Sequence, residues 1–224
     1  MATYGLIDIL YRSRITLLNM LEKNGYNVKP YRRFSPKEIE EMVKANTDGD
    51  ALRMDLVRER GDGPEKCLVL YKLEKQQKAN KFTELLRSIF EQDDVPEDKK
   101  YDFSNGEVIM VLDEPIVEAF HIAAANQWKR KYRIRFFEAG HIVHDPSSFA
   151  IVPKHEKLSA EDTEAVLKEV YLKNTKADKN LLPIIRFHED PQARWLGLVP
   201  GDIVKITRPS PMSGEYVVYR VCAV

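Results

Sequence analysis

The sequence predicts an N-terminal α/β domain over residues 1–145 and a small C-terminal α+β domain over residues 146–224, so the chain is α+β overall. Up to about residue 140, strand-like apolar runs alternate with helical patterns, which is typical of an α/β sheet. The segment 141–148, with Pro146, is the best candidate for a linker. Beyond it, short strands and short capped helices are mixed, which indicates a smaller second domain.

The first two helices are marked by leucine spacing and by an N-terminal capping signal. Leucines recur at roughly helical spacing at Leu6, Leu10, Leu17, Leu18 and Leu21. Gly25 can take the left-handed position that ends this helix. A second helix is predicted from Ser35, which can cap it, with Pro36 at the first helical position and Glu38 completing a capping box. Its buried stripe is predicted to be Ile39, Met42 and Val43.

The predicted sheet of the N-terminal domain comes from four strand-like segments and two helical ones. The predicted strands are 54–59, 66–71, 108–112 and 132–137, and the predicted helices are 82–90 and 113–126. The first two strands form a hairpin because turn formers fill residues 60–64 between them. Residues 108–112 are continuously apolar, which is typical of a strand covered on both faces. Asp113-Glu114-Pro115 is predicted to close this strand and to cap the next helix.

The C-terminal domain shows signals for two capped helices. Ser159 and Asp162 form a variant of the capping box before the first helix. The packed face of that helix is predicted to be Val166, Leu167, Val170 and Tyr171. Asp190-Pro191 begins a short second helix, which Gly197 can end.

A hairpin is predicted near the C-terminus. Segments 203–207 and 215–221 pair around residues 209–214, which are rich in proline, serine and glycine. In the second segment Tyr216, Val218 and Arg220 alternate with Val217, Tyr219 and Val221. One face of this strand can therefore pack on a core while the other face, or the edge, meets a partner.

Composition and charge exclude several classes of protein. The chain is 43% apolar, enough for a core, and 31% charged, as expected for a soluble surface. Its 35 basic and 35 acidic residues give a formal net charge of zero, whereas proteins that mainly grip nucleic acid are usually basic. Cys67 and Cys222 lie far apart without zinc-binding spacing, so we expect a reducing compartment. No run of about 18 apolar residues and no signal-peptide pattern occurs, so we expect a chain that neither spans a membrane nor is secreted.

Positive charge is concentrated in residues 129–135, which include Lys129, Arg130, Lys131, Arg133 and Arg135. On a strand, Arg133 and Arg135 would share one face. Basic residues interleaved with an aromatic suit a surface that follows phosphates. Because a run of charges is usually only a solvated face, both interpretations stay open.

The segment 151–224 carries a series of short motifs. They are Ile151-Val152-Pro153-Lys154-His155, Leu158-Ser159, Asp190-Pro191, Leu196-Gly197, Gly201-Asp202-Ile203-Val204-Lys205-Ile206 and Ser213-Gly214-Glu215-Tyr216-Val217-Val218-Tyr219-Arg220. Their order and spacing resemble the C-terminal assembly domain of the fifth-largest subunit shared by the eukaryotic nuclear RNA polymerases. The H subunit of archaeal RNA polymerase is similar to that domain alone. Residues 1–150 resemble the eukaryotic subunit more loosely, at Leu10-Tyr11-Arg12-Ser13 and at Asp113-Glu114-Pro115.

The resemblance implies a non-catalytic subunit that docks on the largest polymerase subunit through its C-terminal domain. The residues expected at this interface are Pro153, Lys154, His155, Arg194, Trp195, Tyr216, Tyr219 and Arg220. Arginine and tryptophan dominate interface energetics, although Trp195 can equally be a core residue.

The resemblance also implies an N-terminal jaw domain near downstream duplex DNA, with weak and non-specific contacts. Pro115 matches the jaw turn that lies beside DNA, where free N–H groups at the start of a helix could meet phosphates. The basic residues expected near DNA are Lys129, Arg130 and Lys131.

A second proline-containing loop of the cellular jaw is missing before Pro153, as in shortened forms encoded by large DNA viruses. The resemblance therefore implies a nuclear protein or, for a viral source, a protein of the virion or of a cytoplasmic virus factory. The archaeal H subunit lacks the jaw domain, which argues against an archaeal source.

The jaw domain of the resembled family is related in fold to restriction-type nucleases, so a divergent metal-dependent nuclease is one alternative. Such a site needs an Asp and a Glu-x-Lys motif, because two carboxylates hold Mg²⁺ while the lysine activates water. At the matching strand Leu70 takes the carboxylate position in Leu70-Tyr71-Lys72. Glu97-Asp98-Lys99 matches the Glu-x-Lys motif but lies in an acidic loop. We therefore predict a nuclease-like fold without a catalytic site.

No other catalytic motif occurs in the sequence. The five histidines, His121, His141, His144, His155 and His188, show no zinc-ligand spacing. Neither a nucleophile elbow nor a phosphate loop is present. We expect no catalytic residue, no metal and no cofactor. A free-standing DNA-binding adaptor, suggested by residues 129–135, is the remaining alternative.

Overall fold

The structure is a computed structural model that describes residues 5–46, 49–74, 79–92, 101, 103 and 105–224, with only the backbone described at 79–81. The chain divides into two compact units, with the boundary between His144 and Asp145. We call them the N-terminal unit and the C-terminal unit. None of the described helices is long and apolar enough to cross a lipid bilayer.

The N-terminal unit is built on a four-stranded sheet in the order β1-β2-β3-β4. The strands are β1 (Met54–Val57), β2 (Lys66–Lys72), β3 (Gly106–Leu112) and β4 (Arg133–Glu138). β1 is antiparallel to β2, as the hairpin prediction requires, and β2, β3 and β4 are parallel. Every residue of β3 is buried, which confirms the prediction of a strand covered on both faces.

Four α-helices belong to the described part of the N-terminal unit: α1 (Leu6–Lys23), α2 (Pro36–Ala45), α3 (Ala79–Glu91) and α4 (Glu118–Lys129). α3 connects β2 to β3, and α4 connects β3 to β4. Right-handed crossovers that step in one direction place both helices on the same face of a sheet. The rings of Phe82 in α3, Phe120 in α4 and Phe136 in β4 pack there, with centroids 4.8–5.5 Å apart. The predicted α/β fold class is confirmed.

The predicted C-terminal end of α1 and the predicted start of α2 are confirmed. Gly25 has a φ of 90°. A Cβ atom at this position would lie 1.9 Å from the carbonyl oxygen of Arg60, so only glycine fits. Ser35 caps α2: its hydroxyl accepts from the backbone N–H of Glu38, and the Glu38 carboxylate accepts from the Ser35 N–H at 2.7 Å. Ile39 is buried, while Met42 and Val43 are half-buried.

The predicted start of the helix after β3 is wrong. α4 begins at Glu118 rather than at the Asp113-Glu114-Pro115 turn. Its N-cap is Val117, whose backbone is extended and whose side chain makes no capping hydrogen bond. Ile116 and Val117 are β-branched, which favours extended backbone and delays the helix.

The C-terminal unit is built on a second four-stranded sheet, in the order β5-β7-β8-β6. Its strands are β5 (Lys154–Lys157), β6 (Ile184–Arg186), β7 (Ile203–Ser210) and β8 (Gly214–Ala223), and its α-helices are α5 (Ala160–Glu169), α6 (Lys176–Lys179) and α7 (Pro191–Leu196). β5 is antiparallel to β7, and the three-residue β6 is parallel to β8. The unit is therefore mixed α+β, as predicted.

The hairpin of β7 and β8 is longer than predicted. Pairing continues to Ser210 and Gly214, so Pro209 lies in β7 instead of in the turn. β5 pairs with β7 only as far as Thr207. The missing N–H of Pro209 therefore costs no hydrogen bond to β5, which is why a proline is tolerated in this strand.

The helix caps of the C-terminal unit agree with the sequence predictions. The Ser159 hydroxyl accepts from the Asp162 N–H at 3.0 Å. Asp190 Oδ1 accepts from the N–H groups of Gln192 and Ala193, which fixes the start of α7. Gly197 ends α7 with a φ of 65°.

The predicted packed face of α5 is wrong at its end. Val166 and Leu167 are buried, but Tyr171 is 97% exposed. The helix stops at Glu169, and Tyr171 takes a left-handed backbone with a φ of 57°. The Tyr171 N–H donates to Lys168 O, and the Leu172 N–H donates to Leu167 O. This is the Schellman arrangement, in which glycine normally takes the left-handed position.

A buried ion pair ties β3 to β4. Arg135 Nη2 donates to Glu107 Oε2 at 2.7 Å, and both side chains are buried. Glu107 Oε1 lies 2.9 Å from the hydroxyl of Tyr26, which Arg58 Nη2 reaches at 3.1 Å. Burial, followed by the negative charge of Glu107, raises the pKa of Tyr26, so its hydroxyl stays protonated.

Removing the cation of this pair is expected to destabilise the N-terminal unit. Arg135→Met should lower the free energy of unfolding by about 3–5 kcal/mol, because the Glu107 carboxylate stays buried without its counter-ion. The double variant Arg135→Met/Glu107→Leu removes both charges and should regain most of that loss. Chemical denaturation followed by circular dichroism measures both values. A single variant as stable as the parent chain would contradict this assignment.

Tyr171→Gly is expected to stabilise the C-terminal unit by about 1 kcal/mol, because glycine adopts the left-handed backbone without the Cβ penalty. Tyr171→Ala keeps a Cβ atom and is the matched control, for which we expect a change within about 0.5 kcal/mol. The free energy of unfolding in urea compares the two variants. An equal gain in both would mean that the exposed ring, and not the backbone, is the source of the effect.

Candidate functional site

The position in β2 at which the resemblance would place a nuclease motif is occupied by other residues. Leu70, at the predicted carboxylate position, is buried in β2. The ammonium of Lys72 lies 2.7 Å from Asp50 Oδ1, so this lysine neutralises an adjacent carboxylate. Glu97-Asp98-Lys99 lies outside the described residues. Asp50 is exposed, and Leu70 cannot act as the second of the two carboxylates that hold Mg²⁺.

His141 and His155 contact residues close to them in the sequence, and both cysteines are buried free thiols. His141 Nδ1 lies 3.1 Å from Glu138, and His155 Nδ1 lies 2.7 Å from the carbonyl oxygen of Pro153. Within the described ranges, no group of three His, Cys, Asp or Glu residues could hold a metal ion. Burial raises the pKa of the Cys222 thiol to about 12 and that of Cys67 well above its ordinary value. Both thiols therefore stay protonated near neutral pH and are poor nucleophiles.

The basic patch of Lys129, Arg130 and Lys131 is exposed at the end of α4. The Lys131 ammonium lies 5.9 Å from the centre of the Trp128 ring, and the Arg130 guanidinium lies 5.6 Å from that of Tyr132. These distances are typical of cation–π contacts, which hold the cations on an aromatic support. The predicted interleaving of basic and aromatic residues is therefore present.

Two expectations for this region need correction. Arg133 and Arg135 lie at alternating positions on one face of β4, as predicted, but Arg135 is not available to phosphates, because its guanidinium is buried against Glu107. Arg133 is half-buried, with its guanidinium 5.7 Å from the centre of the Trp128 ring. Pro115 is exposed, but α4 begins three residues later, so the N–H groups of that helix do not follow the turn directly.

The predicted interface residues of β5 have neighbours within their own segment. Lys154 is exposed, and its ammonium lies 2.7 Å from Glu156. His155 is half-buried and contacts Pro153 O through its Nδ1 atom. The Lys154 ammonium has further donor capacity for a partner, whereas one nitrogen of His155 is already engaged.

The two predicted residues of α7 differ in exposure. Trp195 is only 4% exposed, so the ring belongs to the core of the C-terminal unit. Arg194 is half-buried beside it in the sequence. Of the two interpretations of Trp195, the buried ring favours the core one.

β8 presents the most accessible of the predicted interface residues. Tyr216 is 59% exposed near the tip of the hairpin, while Tyr219 and Arg220 are half-buried. Arg220 Nη1 donates to Ile184 O at 2.9 Å, which anchors the side chain to β6. β6 pairs with β8 only over residues 221–223. Within the C-terminal unit as described, residues 214–220 of β8 therefore have one edge open.

The C-terminal unit exposes several apolar side chains that were not predicted as interface residues. They include Phe149, Ile151, Leu181, Ile184 and Met212. These five lie in segments without a sustained apolar period, where sequence alone does not separate buried from exposed positions.

Comparison with known proteins gives the same division of the chain. Residues 145–222 match the family model described as RNA polymerase Rpb5, C-terminal domain. The DNA-directed RNA polymerase subunit Rpo5 of Sulfurisphaera tokodaii is 51% identical over 76 residues, which is 34% of this chain and 83% of that protein. The subunit Rpo5 of Archaeoglobus fulgidus is 48% identical over 71 residues, covering 32% of this chain and 86% of that protein.

A eukaryotic relative matches along both units. The protein of Dictyostelium discoideum named DNA-directed RNA polymerases I, II, and III subunit rpabc1 is 26% identical over 216 residues, which is 96% of this chain and 98% of that protein. The archaeal matches and the family model thus cover the C-terminal unit, and the eukaryotic match extends through the N-terminal unit. This chain belongs to the family of DNA-directed RNA polymerase subunits that carry the Rpb5 C-terminal domain.

Proposed function

We propose that this chain is a non-catalytic structural subunit of a multisubunit DNA-directed RNA polymerase. It docks on the largest polymerase subunit through its C-terminal unit and places its N-terminal jaw near downstream DNA. The observation that carries this proposal is the family match over 145–222, together with relatives that are themselves named as polymerase subunits. In a nuclear polymerase, this role locates the chain in the nucleus; in a virus-encoded polymerase, it locates the chain in a virus factory or virion.

The surface of the C-terminal unit supports a docking role. Tyr216 and Met212 are exposed around the tip of the hairpin, so both side chains are accessible to a partner. The open edge of β8 over 214–220 can accept main-chain hydrogen bonds from an extended segment of a partner. Aromatic side chains that are exposed beside such an edge become buried when a partner binds, and buried aromatic residues dominate interface energetics.

The charge distribution supports only a weak contact with DNA. The basic patch offers three exposed cations to phosphates, but the formal net charge of the whole chain is zero. Because Arg135 is buried against Glu107, segment 129–135 has one cation fewer for DNA than its sequence suggests. A subunit held in place by protein contacts needs no strong DNA affinity of its own, whereas a free-standing adaptor would.

The absence of catalytic chemistry in this chain is part of the proposal. At the nuclease-like strand, Leu70 and the Lys72–Asp50 pair replace the metal-binding motif, which supports a structural role. Purified protein incubated with Mg²⁺ or Mn²⁺ should leave duplex DNA intact, and cleavage that requires Asp50 would overturn this part of the proposal.

A fragment spanning 146–224 is expected to co-purify with the largest polymerase subunit. The archaeal relatives correspond mainly to this unit, which supports its folding alone. In the full chain, Tyr216→Asp should weaken the complex about 30-fold, the effect of losing an interface residue worth about 2 kcal/mol. Val57→Asp, at an exposed apolar position of the N-terminal unit, is the control. A folded fragment that fails to bind the largest subunit would count against docking through this unit.

Changing Lys129, Arg130 and Lys131 together to Ala is expected to leave assembly unaltered and to weaken retention of downstream DNA. Each lost phosphate contact should reduce the slope of log affinity against log salt by about 0.9. DNA retention by the reconstituted polymerase, measured over a range of salt concentrations, gives that slope. The control changes three other exposed lysines, Lys29, Lys37 and Lys44, to Ala. Equal slopes in the two triple variants would show that the basic patch does not contact downstream DNA.

A further inference from the structure

An open apolar groove of about 560 Å³ lies between α3 and α4, on the outer side of the N-terminal unit. Its apolar lining includes Leu86 and Phe82 of α3 and Ala119, Ile122 and Ala123 of α4. Neither the proposed docking surface nor the basic patch includes these apolar residues, although Arg130 of the basic patch lies at the rim of the groove. The apolar lining is therefore a separate feature of the N-terminal unit.

α4 carries apolar residues on more than one face. Phe120 and Ala124 are buried toward the sheet, yet Ile122 is 53% exposed, and Ala119 is exposed beside it. A helix on the surface of a globular protein normally turns a polar face to solvent. The apolar outer face of α4 is therefore suited to being covered.

The shape of the groove fits a helix. Ala119 and Ala123 are four residues apart, so they lie one above the other on α4 and leave room for a close backbone approach. Side-chain rows with this spacing form the ridges and grooves in which helices pack. An occupant lying along α3 and α4 would place its own apolar row between Leu86 and Ile122.

One buried polar group in the lining also lacks a partner. Gln127 is 9% exposed, and its Oε1 atom accepts no hydrogen bond from the described residues. A buried acceptor without a donor is costly. A donor supplied by an occupant, after a small adjustment of this side chain, would remove that cost.

The rim of the groove carries an excess of positive charge. The charged residues that line it are Arg87, Glu91 and Arg130. Arg87 Nε lies 2.6 Å from Glu91 Oε2, and Arg130 Nη2 lies 3.6 Å from Glu91 Oε1. Among the described residues of the lining, two guanidinium groups stand against one carboxylate, so the rim favours an occupant that brings carboxylates of its own.

We propose that the groove seats an amphipathic helix of a partner protein, with an apolar stripe facing α4 and Asp or Glu residues facing Arg87 and Arg130. This binding mode is the helix-in-groove type, in which anchors at i, i+3, i+4 and i+7 carry the affinity. The proposal does not depend on docking to the largest polymerase subunit, because it concerns the other unit of the chain.

The test is a selection with the full chain immobilised and a displayed library of 16-residue helix-forming peptides whose charged and apolar positions are randomised. Enriched peptides should carry an apolar i, i+3, i+4, i+7 stripe flanked by Asp or Glu. Synthetic copies of these peptides are then titrated against the soluble chain by fluorescence anisotropy, and their helicity on binding is measured by circular dichroism.

Matched variants locate the binding site. Ala123→Gln fills the groove and should weaken binding of the selected peptide at least about tenfold. Ala125→Gln makes the same change on α4 outside the groove lining and should leave affinity unchanged. Arg87→Gln should weaken the acidic peptide but not a variant of it with Asp and Glu replaced by Asn and Gln.

Several outcomes would overturn the proposal. They are a failure of any peptide to enrich, enrichment of peptides without acidic residues or without helicity, and equal binding to the Ala123 and Ala125 variants. Dimerisation of the chain that Ala123→Gln abolishes would instead identify a second copy as the occupant, which also rejects an acidic partner helix. Thermal unfolding of each variant confirms that lost binding is not lost folding.

Discussion

The pairing of β7 with β8 is the constraint on which the C-terminal unit depends. β5 attaches to β7 and β6 attaches to β8, so neither short strand has another partner in this sheet. At the base of the hairpin, the Gly201 N–H donates to Cys222 O and the Cys222 N–H donates to Asp202 O. The Asp202 carboxylate also accepts from the N–H of Val199. The base is thus fixed on both sides, while the tip, where only two strands pair, keeps an open edge and exposed side chains. The base of the hairpin therefore stabilises the unit, and the tip is available to a partner.

In the N-terminal unit the corresponding constraint is the buried strand β3. A parallel strand covered on both faces has little room for charge, yet Glu107 lies in it and is neutralised by Arg135 of β4. Because of this pair, Arg135 of segment 129–135 stabilises the sheet instead of being exposed to solvent. It leaves Lys129, Arg130 and Lys131 as the accessible charges, at the end of α4. The same helix provides one wall of the apolar groove, so α4 joins the two surfaces through which we propose that the N-terminal unit meets other molecules.

Most of the fold could be predicted from local signals, and the failures have physical causes. The capping box at Ser35, the left-handed Gly25 and the apolar run of β3 each depend on neighbouring residues, so sequence was sufficient. The three-residue β6 carries too little pattern to be recognised, and it exists because β8 offers it an edge. Tyr171 was misplaced because the helix ends in a left-handed residue that is not glycine. For the site, the resemblance supplied the family, but the burial of Trp195 and Arg135 depends on contacts between residues far apart in the sequence.

We propose that another polymerase subunit completes the outer edge of the β7–β8 hairpin. Hydrogen–deuterium exchange of the backbone amides of residues 214–220 tests this most directly, in the isolated chain and in the assembled polymerase. The open edge predicts fast exchange of the outward-facing amides in the isolated chain and strong protection after assembly, while amides of β7 that pair with β8 stay protected in both states. Equal exchange of residues 214–220 in the two states would contradict the claim.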